Sequence, residues 1–138
     1  MANSIFPDSM LNKATPEMTI ESVGSRFDYF FQQLHLLHLQ TSSYAEHNAL
    51  NLYDSIPGVK DEILEKLFGY EGRKIKSYKT APIVDYSVGL SSRIVNDLKD
   101  FAGQLEKFAS SKGYSDIENL SQSLSGSAAK TLFLLTLS

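Results

Sequence analysis

The chain has 138 residues, no cysteine, no tryptophan and a formal net charge of -3. That length suits one domain with a core of its own, and the lack of cysteine excludes a disulfide framework, a zinc knuckle and a thiol nucleophile. A mildly acidic chain sets up no general field for nucleic acid or anionic lipid. With no apolar run near the roughly 18 residues that span a bilayer, it reads as soluble and unprocessed, with no membrane partner.

Residues 1–15 are polar and mixed, with Pro7 and little periodicity, and read as an arm ahead of a single domain over residues 16–138. Thr15, Pro16 and Glu17 predict a helix start near Pro16, because proline suits the first helical position and the acid complements the helix dipole. Ile20, Val23, Phe27, Phe30, Leu34 and Leu37 recur at spacings of three and four and form an apolar seam, widened on one flank by Phe31, His35 and His38. Gln40 to Ser43 lower helix propensity and predict a break, with Ser42 or Ser43 capping a second helix from Tyr44 to Gly69. Pro57 and Gly58 predict a kink or a restart within that helix.

Gly69, Gly72 and Pro82, with the basic run Arg73, Lys74, Lys76 and Lys79, mark a long connection whose charges read as a solvated loop. A third helix is predicted from about Ile83 to Ser111, with Leu90, Ile94, Leu98, Phe101, Leu105 and Phe108 as its seam and Gly113 as its stop. Ser115, Asp116, Ile117 and Glu118 have the capping-box pattern and predict a fourth helix through Leu120, Leu124, Ala128, Leu132 and Leu135. The apolar ending from Leu132 to Leu137 reads as its last turns, with cover by a neighbouring subunit as the alternative. Period-two alternation is absent. The expected fold is all-α: a four-helix bundle with a long connection between helices 2 and 3.

All three histidines lie between positions 35 and 47. His35 and His38 are three apart and share a helix face, and Asp61 and Glu65, four apart, share a stripe of the next helix. Imidazole and carboxylate suit iron or manganese. No Glu-x-x-His pair occurs and the later helices hold no histidine, so a complete site within one chain is not expected. On a continuous helix His47 and Asp61 would lie about 21 Å apart. A two-fold homodimer of antiparallel helices would instead set the histidines of one subunit against Asp61 and Glu65 of its mate, giving two equivalent sites. Each group also has a structural reading: a histidine as a buried hydrogen-bonding residue, Asp61, Glu62, Glu65 and Lys66 as a solvated face, Tyr44 and Tyr53 as core or interface aromatics. No nucleophile elbow, P-loop or glycine-rich dinucleotide turn is present, so hydrolase and nucleotide-binding readings find no support.

The segment from His38-Leu39-Gln40 to Gly69 resembles the iron-oxidising region of the miniferritins, the DNA-binding proteins from starved cells, within the ferritin-like superfamily. The resemblance implies a ferritin-like bundle and an intersubunit ferroxidase centre. His38 or His35 would be its first histidine, His47 its second, Asp61 and Glu65 its acidic pair, and Tyr53 would fill the aromatic position ahead of that pair. Leu39 stands where tryptophan is typical, and His47 is one residue nearer to Asp61 than usual. Lys13 is the only basic residue of the arm, so the lysine-rich DNA-binding tail is missing and nucleic acid is not an expected partner. The whole pattern, including Ala128 to Leu137, is similar to small uncharacterised ferritin-like proteins of tailed bacteriophages. That likeness implies the host cytoplasm or the virion as location and phage structural proteins as partners. It leaves a metal-free structural or interaction protein beside the metal-binding oligomer as the alternative.

Overall fold

The apolar seams legible in the sequence are the faces that pack. In the computed structural model, which describes residues 17–138, α1 spans Ile20–Gln40, α2 Tyr44–Ala49, α3 Ile56–Glu71, α4 Leu90–Lys112 and α5 Ser115–Leu135. A 3-10 stretch, Leu50–Ser55, joins α2 to α3, and no strand occurs among the described residues. The expected arm, residues 1–15, lies outside them, as does Pro16. The six seam residues of α1 are all buried, as are Leu90, Ile94, Leu98, Phe101 and Leu105 of α4 and Leu124, Ala128 and Leu135 of α5. Phe101 is central: it packs edge-on against Phe27, with centroids 5.1 Å apart, and stacks on Phe30 at 5.8 Å. No helix among the described residues is long and apolar enough to cross a membrane.

Contacts between named residues fix the directions of the helices. Lys60 of α3 reaches Asp28 of α1 and Arg73, just past α3, reaches Glu21, so α3 runs antiparallel to α1. Ser91 at the start of α4 meets Glu46 just past the end of α1, and Gln104 meets Arg26 nearer its beginning, so α4 also runs antiparallel to α1. Tyr70 at the end of α3 stacks on Tyr114 at the start of α5, centroids 4.0 Å apart, which reverses the chain again. The two helical hairpins are therefore joined by one crossover that travels the length of the bundle.

The cap at Ser43 and the restart at Pro57 fall where the sequence puts them, while other helix boundaries differ from expectation, each for a local reason. α1 starts at Ile20 rather than near Pro16, because Thr19 and Ser22 form a reciprocal capping box: Ser22 N–H donates to Thr19 Oγ1 at 3.0 Å and Thr19 N–H to Ser22 Oγ at 2.9 Å. Ser43 caps α2 by accepting from the Glu46 N–H at 3.1 Å. The second helix is not kinked at Pro57 but restarted, with Pro57 in the first turn of α3, where its missing N–H has no helical partner to lose. α3 ends at Gly72, whose φ of 69° only glycine adopts without cost. The box expected at Ser115 is not formed: Tyr114 precedes α5 without a side-chain cap, and Asp116 accepts from Tyr70 and the Ile117 N–H instead.

The third helix starts at Leu90, not Ile83: Gly89, at a φ of 83°, takes a left-handed turn that no continuous helix contains, and side chains of α1 hold the segment ahead of it in an extended path. Gln33, fully buried, pairs with Val84 in both directions, and Gln40 accepts from the Tyr86 N–H at 2.7 Å. Further along, Glu21 accepts from Arg73 and from the Lys76 N–H, and Ser25 donates to the Lys79 carbonyl. Residues 73–89 thus form an extended strap laid along α1 and pinned at both ends and between. Gly24 sits beneath it; a Cβ there would stand 2.9 Å from Ile75 Cδ1 and 3.3 Å from the Tyr78 ring. The basic run belongs to this strap, with Arg73 engaged by Glu21 and Lys74, Lys76 and Lys79 exposed.

Candidate functional site

The end of α1, the short α2 and the 3-10 stretch gather all three histidines and Tyr53 into one cluster. His35 stacks on Tyr53 with centroids 4.4 Å apart, His38 lies 4.9 Å from the same ring, and His38 and His47 stack at 3.7 Å with planes 19° apart. The clustering follows from the sequence: the flank that His35 and His38 give to α1 meets the reversed chain once Thr41 to Ser43 have turned it. His38 is buried and His35, His47 and Tyr53 are half-buried.

His38 and His47 cap one another's helices. His38 Nδ1 lies 2.7 Å from the His47 carbonyl oxygen, and His47 Nδ1 lies 2.7 Å from the His38 carbonyl oxygen. Both carbonyls belong to last turns, where helical acceptors lack backbone partners. A carbonyl only accepts, so each Nδ1 carries a proton, and in the neutral ring the lone pair is on Nε2. Metal-bound imidazoles are oriented in this way, through the nitrogen that does not touch the ion.

The fit to an ion can be tested by distance. With bonds of about 2.1 Å, two imidazoles on one ion place their centroids roughly 4.5–5.5 Å apart at cis or tetrahedral angles and roughly 6.5 Å apart when the ion lies in line between them. His35 and His38, at 6.3 Å, reach only the in-line limit of that range. The stacked pair His38 and His47, at 3.7 Å, falls outside it, because lone pairs lie in the ring planes and near-parallel planes do not converge. As placed, those two rings cannot share one ion, and sharing requires one of them to turn.

Asp61 and Glu65 are not brought to the histidines within the chain. The buried residues Ile56, Ile63, Leu64 and Leu67 face α3 into the bundle, which leaves Asp61 and Glu65 on its opposite, exposed side. Neither forms an ion pair with a described residue. No group of three or more metal-ligating side chains occurs among the described residues. A surface cleft of about 320 Å³ lined by Glu62, Lys66, Asp116, Asn119, Leu120 and Ser123 includes none of the five candidate ligands.

Two clusters escaped the sequence reading. Glu46 is buried and accepts from Thr41 Oγ1 at 2.7 Å, Tyr86 Oη at 2.8 Å and Ser91 Oγ at 2.5 Å. Burial raises its carboxyl pKa, but the three hydroxyl bonds outweigh that and hold it below the ordinary value. The spacing Ser43-x-x-Glu46 would have flagged a helix start, though not this set of partners. Asp28 accepts from Lys60 at 2.6 Å and from the Tyr78 hydroxyl, tying α1, α3 and the strap together. Burial, then the bond to Asp28, pushes the Tyr78 pKa up. For Lys60 burial acts downward, but its bonds to Asp28 and Tyr78 prevail and raise it.

Among protein families, DUF5856, a family of unknown function, matches residues 38–135. No curated protein and no solved structure matches the chain.

Proposed function

We propose that this chain, a member of DUF5856, a family of unknown function, is a ferritin-like oligomer that binds iron or manganese between subunits. In this reading His35, His38 and His47 of one subunit face Asp61 and Glu65 of a two-fold mate, and Fe(II) oxidation is the candidate chemistry. The observation that carries it is the orientation of His38: its Nδ1 is engaged by the His47 carbonyl, which leaves Nε2 as the ligand atom, and His47 joins the same ion once its ring turns off the stack. The bundle with one lengthwise crossover fits the ferritin-like architecture. The exposed pair Asp61 and Glu65, without an ion-pair partner among the described residues, supplies carboxylates of the kind such a site lacks within one chain.

The test is elemental analysis of iron, manganese and zinc in protein purified without chelator, beside an Asp61→Ala, Glu65→Ala variant of unchanged oligomeric state. Stoichiometric metal in the parent and its loss in the variant support the reading. An iron-loaded parent preparation without metal overturns it.

A second reading is favoured by the stacking of His38 on His47, which suits a helix clasp better than a shared ion. The protein is then a metal-free bundle serving as a structural or interaction component of a phage particle or infected cell. The exposed side chains of Tyr44, Phe133 and Leu137 would be its contact surface. An intact oligomer that takes up no metal supports this alternative.

A further inference from the structure

The three hydroxyls around Glu46 come from three parts of the fold. Thr41 belongs to the turn after α1, Tyr86 to the end of the strap and Ser91 to the first turn of α4. Glu46 is 8% exposed, and no lysine or arginine pairs with it among the described residues. Its carboxylate is therefore held by directional bonds alone, each with a narrow range of productive geometry.

Glu46 and His47 are adjacent on α2, a helix of six residues. So short a helix gains little stability from its own backbone ladder, and its rotation about its axis is set by what its side chains grip. On one side Glu46 grips Tyr86 and Ser91; about 100° further round, His47 grips the His38 carbonyl. A turn of α2 that breaks the first grip swings the second out of line, since the His47 bond is only 2.7 Å long and the rings are stacked at 3.7 Å.

We infer that Glu46, gripped by Tyr86 of the strap and Ser91 of α4, is the positioning residue for His47, so that seating of Tyr86, at the α4 end of the strap, sets the His38 and His47 clasp. The strap follows Gly72 and ends at Gly89, both at positive φ, and backbone-to-backbone bonds join it to the bundle only at that end, where the Leu90 N–H donates to the Ser87 carbonyl and the Arg93 N–H to the Gly89 carbonyl. Side chains hold the rest of it, and its end carries the hydroxyl that reaches Glu46. The strap and the histidines, otherwise separate features, are thereby joined through one carboxylate. The consequence for metal affinity rests on the function proposed above; the orientation of the imidazole does not.

The experiment reads the two apart. In metal-free protein at a single pH where the rings are neutral, long-range nitrogen–proton NMR reports which ring nitrogen of His38 and His47 carries the proton. The parent should show the Nδ1–H form at both. Tyr86→Phe with Ser91→Ala should move His47 to a mixture of Nδ1–H and Nε2–H forms, and Tyr86→Phe alone, which keeps the ring, should move it in the same direction if the double variant does not fold. Tyr78→Phe, which removes a strap hydroxyl from Asp28 instead, should leave the His47 signals in place. An unchanged His47 tautomer in folded Tyr86→Phe, Ser91→Ala protein overturns the inference, and so does an equal change in Tyr78→Phe. Where the parent binds Mn²⁺, its affinity should fall on the order of 10-fold in the double variant. A parent that binds no Mn²⁺ counts against the proposed function and leaves the tautomer result to decide this inference.

Discussion

The side chain of Gln33 pairs with the backbone of Val84 in both directions: Nε2 donates to the carbonyl at 2.9 Å and Oε1 accepts from the N–H at 2.8 Å. A buried glutamine thus supplies to the strap what a neighbouring strand would supply in a sheet. Gln33→Leu keeps the volume and removes both bonds. It should lower stability by about 1–3 kcal/mol, the usual cost of leaving such groups without partners, as measured by urea unfolding. Proteolysis after the exposed Lys74, Lys76 and Lys79 should quicken in the same variant.

The strap's other end gives a pH dependence of known sign. Glu21 accepts from the Arg73 side chain first of all and from the Lys76 N–H, and these bonds lower its pKa from 4.5 to about 2. A carboxyl lowered in the folded state stabilises fully above its unfolded value and loses that contribution as pH falls through the folded one. The window is therefore from about 4.5 down to about 2. Glu21→Gln should flatten the fall of stability with acid in that window and leave the slope above it unchanged, as followed by thermal unfolding across pH.

Phe101 carries the largest single packing prediction. It is fully buried, touches Phe27 and Phe30, and has the Arg26 guanidinium 4.5 Å from its ring centroid. Phe101→Ala should cost about 3–5 kcal/mol by chemical denaturation. Arg26 should become more mobile, because its half-buried charge then faces a void instead of a ring.

The helices were legible because each buries one stripe, and the seams from Ile20 to Leu37 and from Leu90 to Leu105 mark those stripes without reference to partners. The strap was not. Residues 83–89 pass as the start of a helix by composition, but Gly89 turns left-handed and Gln33 and Gln40, some 50 positions away, hold the segment along α1. The histidine cluster was half legible: the spacing of His35 and His38 put them on one face, but the reciprocal bonds of His38 and His47 depend on the turn at Thr41 to Ser43. Glu46 carried no sign of its role, because its partners Tyr86 and Ser91 lie 40 and 45 positions on. Local rules report periodicity and caps, and long-range polar bonds lie beyond them.

The clasp yields a prediction that separates its two components. His47→Phe retains an aromatic ring to stack on His38 but no donor for the His38 carbonyl, a last-turn acceptor of α1. His47→Ala removes both ring and donor. The phenylalanine variant should lose about 1 kcal/mol, the net worth of one such hydrogen bond, and the alanine variant about 1 kcal/mol more, from lost stacking. Both losses are read by urea unfolding in the presence of chelator, so that bound metal plays no part in the comparison. If His47→Phe is as stable as the parent, the mutual capping contributes nothing to the fold and the reciprocal bonds are incidental to the stacking.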